Sequence, residues 1–553
     1  MKYRVMILSC LLFGCTESTS TNDGALNDPF DLVSGPDLIQ LSLADIPAKL
    51  MPLYTQSYAS RTYNAPLFEM DDAILADTAT TGTETSGTNT QETGVDEADR
   101  IKVHQDHLYL ARQSEGSIDI YQLQGARHAK RGQLVIGEQP LEGLYINNGH
   151  LTALSGATAF GMYHWGMPEI IFDDVAVGGY VVQPTDIQIN HYDLGKPDQP
   201  TEQSQLSFDG QLLSSRMIKG ELIMAMSYNP VLPDLRYYPT SEADLAYNKT
   251  IIANTPLGAW LPTYSINGVV QGNYLNPEGC YATGYNGAYP TIISLVKVSF
   301  DNTPTISSNC FIGEAETLYA STESAYLATT QFNYSAADNW AADITTDVHK
   351  FNLGDLSYRG SAAVPGQLPD YSSMRPFALS EHNDVLRMVT YTGVSADSPA
   401  SIHALTEVMG SLQRISSLPN STYPDPIGKE GERIYAIRML GDRGYVVTFR
   451  ATDPLYVLDL TDPLAMRVSG ELEITGFSDY LHIINDRYLL GVGYDAIVDS
   501  EGDFRGALTQ GVKLSVFDVA DPTNPIEVDS KLIGKRGTST EVSSDHHAFA
   551  ALP

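Results

Sequence analysis

Leu455-Tyr456-Val457-Leu458-Asp459-Leu460, then Thr461-Asp462-Pro463, then Arg467 to Ile474, reads as a strand, a polar turn and a second strand. Apolar residues alternating with a period of two mark a strand with one buried face, and the Thr-Asp-Pro cluster ends it. The same grammar returns as Lys513-Leu514-Ser515-Val516-Phe517-Asp518-Val519, the turn Asp521-Pro522 with Asn524-Pro525, and Ile526 to Ile533. Weaker copies are Ile118 to Leu123, Ile187 to Leu194, Ser294 to Phe300, and Val348 to Leu353 before Arg359 to Val364.

A hairpin pattern precedes each copy. Leu144-Tyr145-Ile146 turns at Asn147-Asn148-Gly149 into Leu151 to Leu154, and Ile434 to Leu440 turns at Gly441-Asp442-Arg443-Gly444 into Tyr445-Val446-Val447. Asn, Asp and Gly accept the positive φ values that tight hairpins require. Two hairpins make a four-stranded antiparallel blade. Such a sheet cannot bury both faces alone, so blades must pack side by side around an axis. The sequence predicts an all-β fold, a β-propeller of about seven four-stranded blades. They start near residues 101, 143, 211, 316, 374, 433 and 479, with a partial eighth from Val542. The last blade is expected to be incomplete, either by truncation or with an N-terminal strand completing it.

The remaining chain divides around this body. Lys2 and Arg4 precede an apolar run from Val5 to Phe13, too short to span a bilayer. Leu12-Phe13-Gly14-Cys15 resembles the lipobox of bacterial lipoproteins. That resemblance implies a signal peptide over 1–14, a diacylglycerol on Cys15 and a lipid anchor; Thr16 in place of Asp points to the outer membrane. Residues 15–93 read as a tether and low-complexity linker, with a helix somewhere in 31–76, and the propeller domain as 94–553. A long Tyr-, Asn- and Gly-rich insertion at about 227–290 is either an adaptable recognition surface or an ordered decoration.

Cysteine usage agrees with export. Cys10 leaves with the signal and Cys15 takes the lipid, so Cys280 and Cys310 remain as an even pair expected to form a disulfide. Against 33 basic residues stand 67 acidic ones, a net charge of −34. A surface so negative repels phosphate backbones and excludes nucleic acid as a partner. Gly-x-Ser-x-Gly, His-Glu-x-x-His and a phosphate-binding loop are all missing from the sequence.

Two stretches go beyond repeat grammar. One is Thr90-Gln91-Glu92-Thr93-Gly94-Val95-Asp96-Glu97-Ala98-Asp99-Arg100-Ile101-Lys102. The other runs from Gly431 to Arg450 and on through Gly476-Phe477-Ser478-Asp479-Tyr480-Leu481-His482 to Asp545-His546-His547-Ala548-Phe549. Together they resemble the secreted bacterial and archaeal proteins with a C-terminal β-propeller domain, distantly similar to WD-repeat propellers. The resemblance implies the fold and an extracytoplasmic location, and carries no catalytic residue across.

Two constellations have metal-binding chemistry. Asp96, Glu97 and Asp99 offer hard oxygen ligands suited to Ca²⁺, although Arg100 and Lys102 adjoin as counter-ions. Asp479, His482, Asp545, His546 and His547 would make a His/Asp set if they face the axis; the alternative is that they tie strands. The expected role is a non-catalytic binding or scaffold module at the cell envelope, with a protein or polysaccharide partner. The rival is an extracytoplasmic lyase or hydrolase with its site in the channel.

Overall fold

The computed structural model describes residues 38–50, 89–124, 127–156, 185–232, 234–236, 239, 241–282, 291–301, 303–334, 342–450, 453–498 and 507–549. The signal peptide, Cys15, most of the tether and Ala550 to Pro553 lie outside them. Among the described residues no helix is long and apolar enough to cross a membrane.

Among the described residues seven sheets share a four-stranded antiparallel core. Blade 1 is Ile101–His104, His107–Arg112, Ser117–Gln124 and Arg127–Val135. Blade 2 is Leu141–Asn147, His150–Gly156, Asp186–Asp193 and Thr201–Asp209; blade 3 is Gln211–Ile218, Glu221–Tyr228, Ile292–Ser299 and Thr305–Ile312. Blade 4 is Thr317–Ala320, Ser324–Tyr334, Ala342–Asn352 and Tyr358–Pro365; blade 5 is Leu379–His382, Val385–Tyr391, Ala400–Val408 and Ser411–Leu418. Blade 6 is Arg433–Leu440, Arg443–Phe449, Asp453–Asp459 and Arg467–Ile474; blade 7 is Phe477–Ile483, Tyr488–Val498, Ala507–Asp518 and Ile526–Ile533. Each core follows sequence order from first to fourth strand, as consecutive hairpins dictate. The turn at Asn148-Gly149 has φ of 48° and 75°, the positive values its residue types anticipate.

The core lies between blades rather than within them. Tyr109, Ile118 and Ile120 of blade 1 pack with Leu144, Leu151 and Ala153 of blade 2. Ile223 and Leu295 of blade 3 join Leu318, Leu327 and Phe351 of blade 4, and one cluster runs on from Tyr326 through Ala404 and Ile437 to Tyr480 of blade 7. Side-by-side packing thus buries the faces that a lone sheet would leave wet.

At the end of the chain one expectation changes, and in the insertion one of two alternatives is decided. Blade 7 holds a full set of four strands. Val542 to Phe549 forms two short 3-10 turns, Glu541–Ser543 and His546–Ala548, instead of opening an eighth hairpin. The cause is local: Thr540 Oγ1 accepts from the Val542 N–H and Asp545 Oδ1 from the His547 N–H, bonds that compete with strand pairing. Finally, the described part of the 227–290 insertion is an ordered decoration. It contains a helix, Glu242–Asn254, capped by Ser241 and Asp244, and buries Trp260. Its hairpin Thr263–Ile266 and Val269–Asn273 extends the outer edge of blade 2. Cys280–Ala282 extends blade 3 with Ile39–Leu41 outside it, and the Cys280–Cys310 disulfide joins register partners of that parallel pair. The helix expected in 31–76 is the five-residue Ile46–Leu50, within the described part of that stretch.

Candidate functional site

The first strand of a blade faces the axis, and its inner edge has no partner within its own blade. Residues 89–99 supply one, touching the blades in descending order. Asn89 Nδ2 donates to Tyr480 Oη of blade 7 at 2.5 Å. The Thr90 carbonyl accepts from Arg438 Nη2 of blade 6 at 3.4 Å. Gln91 Nε2 donates to the carbonyls of Pro376 and Leu379, at the start of blade 5, at 2.7 and 2.9 Å. Tyr319 Oη of blade 4 donates to Glu92 Oε1 at 2.9 Å. Val95–Glu97 pairs antiparallel with Arg216–Ile218 of blade 3, and Asp99 bridges Leu144 of blade 2. The chain then enters blade 1 at Ile101. Residues 89–93, read as the end of a linker, are therefore part of a thread along the axis. Their polar side chains suit them to it, because backbone groups at an unpaired edge need donors and acceptors.

Period-two alternation splits the acidic cluster. Asp96 turns to Lys102, whose Nζ lies 2.7 Å from its Oδ1. Glu97 points the other way and is 2% exposed. Asp99 accepts from the Ile101 N–H at 3.2 Å, and burial raises its carboxyl above the ordinary value. The three carboxylates do not converge, so the expected Ca²⁺ set is not assembled.

Glu97 gathers other groups. Its Oε1 accepts from the Gln91 N–H at 3.2 Å and lies 3.7 Å from Arg216 Nε. Its Oε2 faces His546 Nε2 at 2.7 Å and His547 Nε2 at 3.0 Å. On the far side of that second ring, Nδ1 lies 3.0 Å from Asp545 Oδ1. Burial alone would raise the Glu97 carboxyl, but Arg216 and the two imidazoles hold it well below the usual range. Burial would likewise lower His547, yet Asp545 and Glu97 on either side push it up to about 9. With carboxylates at both ring nitrogens, His547 must carry both protons when no other cation is bound. His546, packed edge-on against Phe377, is lowered by burial despite its bond to Glu97.

Of the residues singled out from sequence, the fold thus joins Glu97, Asp545, His546 and His547. Asp479 and His482 stay apart. His482 packs at 4.7 Å and a tilt of 47° against Phe549 with its Nδ1 3.4 Å from Tyr480 Oη, and burial lowers it. Asp479 lines a small pocket with Tyr371, Tyr435, Phe477 and Tyr494. Arg216 escaped the sequence reading, since a lone Arg in an alternating strand carries no signal. Gln91 and Glu92 were within the quoted motif and Asn89 just before it, but their composition looked like linker.

A ring of four-stranded sheets with its own chain along the axis defines a β-propeller. The sequence matches the beta propeller domain family over residues 85–553, and the chain belongs to that family. Among curated relatives, an uncharacterized protein of Archaeoglobus fulgidus is 37% identical over 204 residues, which is 37% of this chain and 28% of that protein. The uncharacterized protein MJ1554 of Methanocaldococcus jannaschii is 32% identical over 215 residues, 38% of this chain and 30% of that protein. The chain thus spans less than a third of the length of these relatives. Among solved structures, the computationally designed Ika8 protein aligns with a TM-score of 0.35 at 7% identity, over 82% of this chain and 92% of its own. An apocarotenoid oxygenase of Synechocystis aligns with a TM-score of 0.30 at 9% identity, over 79% and 71%.

Proposed function

We propose that this chain is an exported, lipid-anchored propeller that acts as a non-catalytic binding or scaffold module at the cell envelope. One observation supports the reading: residues 89–99 run along the inner strands of successive blades, the place where a channel enzyme would hold substrate. A cluster of Glu, Arg and His does sit there, which is the feature a channel enzyme would need. In the structure its members bond to one another, Glu97 on both oxygens. Recognition then falls to the rim and outer edges. The hairpin that extends blade 2 leaves Val269 and Val270 62% and 68% exposed, an apolar tip on an otherwise acidic molecule. A protein or polysaccharide of the envelope is the partner class, and the net charge of −34 argues against nucleic acid. Leu12-Phe13-Gly14-Cys15 supports the anchor, since several acyl chains hold a protein firmly at a membrane.

Fractionation tests the anchor: the wild type should pellet with outer membranes, and Cys15→Ser should not. A Cys15→Ser protein that still pelleted would overturn it. The soluble form from residue 16 onward should retain an envelope component that Val269→Asp with Val270→Asp loses. Turnover of a glycan or peptide by the purified protein would favour the enzyme instead.

A further inference from the structure

We propose that Glu97, His546 and His547 form a site for one divalent transition-metal ion of the zinc class, with Asp545 orienting His547. Three potential ligand atoms, one from each residue, lie within 4.8 Å of one another. Two imidazole nitrogens and one carboxylate oxygen are the donor types zinc takes, whereas Ca²⁺ and Mg²⁺ select oxygen throughout. Around a tetrahedral ion such atoms sit about 3.3 Å apart. The observed 2.7 and 3.0 Å separations from Glu97 Oε2 need widen by only a few tenths of an ångström for an ion to enter.

The surroundings are built for such an ion. Asp545 Oδ1 holds His547 Nδ1 at 3.0 Å, the carboxylate–imidazole pairing that fixes the tautomer of a metal-bound histidine. The Ser-Asp-His-His turn brings adjacent rings to 3.9 Å at 38°, so both Nε2 atoms aim at one carboxylate oxygen. Without an ion that oxygen faces two ring nitrogens; with one, each nitrogen becomes a ligand. The imidazole side chains are 15% and 17% exposed, which leaves solvent to supply a fourth ligand. Because Glu97 belongs to the axial thread and the histidines lie some 450 residues later, the ion would staple the end of the described chain to the hub.

The full chain, stripped with EDTA, is titrated with Zn²⁺ by calorimetry and with Co²⁺ by visible absorption. One ion per chain, Co²⁺ bands of a low-coordinate site and a higher melting temperature with Zn²⁺ are expected. His546→Ala and His547→Ala should each abolish stoichiometric uptake, and Asp545→Asn should weaken it by about 10–100-fold. His128→Ala, on the exposed fourth strand of blade 1, should leave uptake unchanged. An unchanged far-ultraviolet dichroism spectrum identifies variants that still fold. Wild-type protein that takes up neither ion, or uptake that survives in a folded His546→Ala/His547→Ala double variant, overturns the site.

Discussion

Blade walls and axial thread are held by different physics. A wall is apolar and repeated: Leu405 of blade 5 is fully buried in a cluster that extends through neighbouring blades, and its loss leaves a cavity. The thread is polar and occurs once. Apart from Val95, buried in the cluster of blades 3 and 4, its contacts are mainly hydrogen bonds and charges directed at successive blades. Repetition gives the walls redundancy, while the thread has none. Removing one wall residue should weaken one seam, whereas removing Glu97 strips partners from blade 3 and the C-terminal turn together.

That contrast sets the largest expected effect. Glu97→Ala leaves Arg216 buried without its carboxylate, and stranding one member of a buried pair costs about 3–5 kcal/mol. Leu405→Ala, a cavity in the wall, is expected to cost about 2–5 kcal/mol. The sharper measurement is Glu97→Gln with Arg216→Met, which removes both charges and should recover part of the loss in urea unfolding. If the double variant is as unstable as Glu97→Ala, the thread is held by shape and not by charge, and the contrast fails. Next comes reduction of Cys280–Cys310 at the outer edge. In the chain-entropy view, cross-linking residues 30 apart stabilises by about 3 kcal/mol. The expected outcome is a lower melting temperature with the ring intact by circular dichroism.

Acid tests the walls themselves. His349 and His403 sit on the third strands of blades 4 and 5, each fully enclosed and bonded to a hydroxyl of the neighbouring strand. His349 Nδ1 lies 2.6 Å from Ser361 Oγ. His403 reaches Ser417 Oγ at 2.8 Å through Nδ1 and Thr390 Oγ1 at 3.1 Å through Nε2. Burial pushes both imidazoles down to about 3. In the unfolded chain they titrate near about 6.5, so below that value only the unfolded state gains the proton. Stability therefore falls with pH from about 6.5 towards about 3, by about 2 kcal/mol per histidine at about pH 5. His403→Asn should flatten that slope in urea unfolding across the range. A slope unchanged in His403→Asn would show that wall histidines do not set acid stability.

The same division explains what could be read from sequence. The blades were legible because their strands alternate and their turns carry Asn, Asp and Gly at fixed places. Leu455 to Asp459 and Lys513 to Asp518 each fall in the third strand of a blade, and the seven full-blade starts lie within five residues of a first strand. Glu97, Asp545 and His546 stood out as chemistry-bearing types in unusual motifs. What could not be read was their meeting. A contact between Glu97 and His546 spans 449 positions and depends on how the blades are arranged about the axis, which period and turn chemistry imply without fixing the azimuth of any side chain. Asn89 and Gln91 were hidden by composition, because a polar segment looks the same whether water or a ring of strand edges satisfies it. Val542 misled for a related reason: an apolar residue after a turn begins a strand unless Thr540 and Asp545 cap the backbone first.

The smallest expected effect lies farthest from the axis. Val269 and Val270 sit on the last strand added to blade 2, beyond its fourth strand, and both are largely exposed. Exposed substitutions away from caps, cores and buried charges stay within about 0.5 kcal/mol. Val270→Asp should therefore leave urea unfolding where it was. Its partner in register, Ser265, is also only half-buried, so no apolar seam opens behind it. A drop of more than about 1 kcal/mol would mean that the decoration supports the ring and does not merely ride on it. In that case the 227–290 segment would belong with the thread as a unique structural element. If stability holds and retention of the envelope component is lost, the hairpin is free to serve recognition, because the fold asks nothing of its tip.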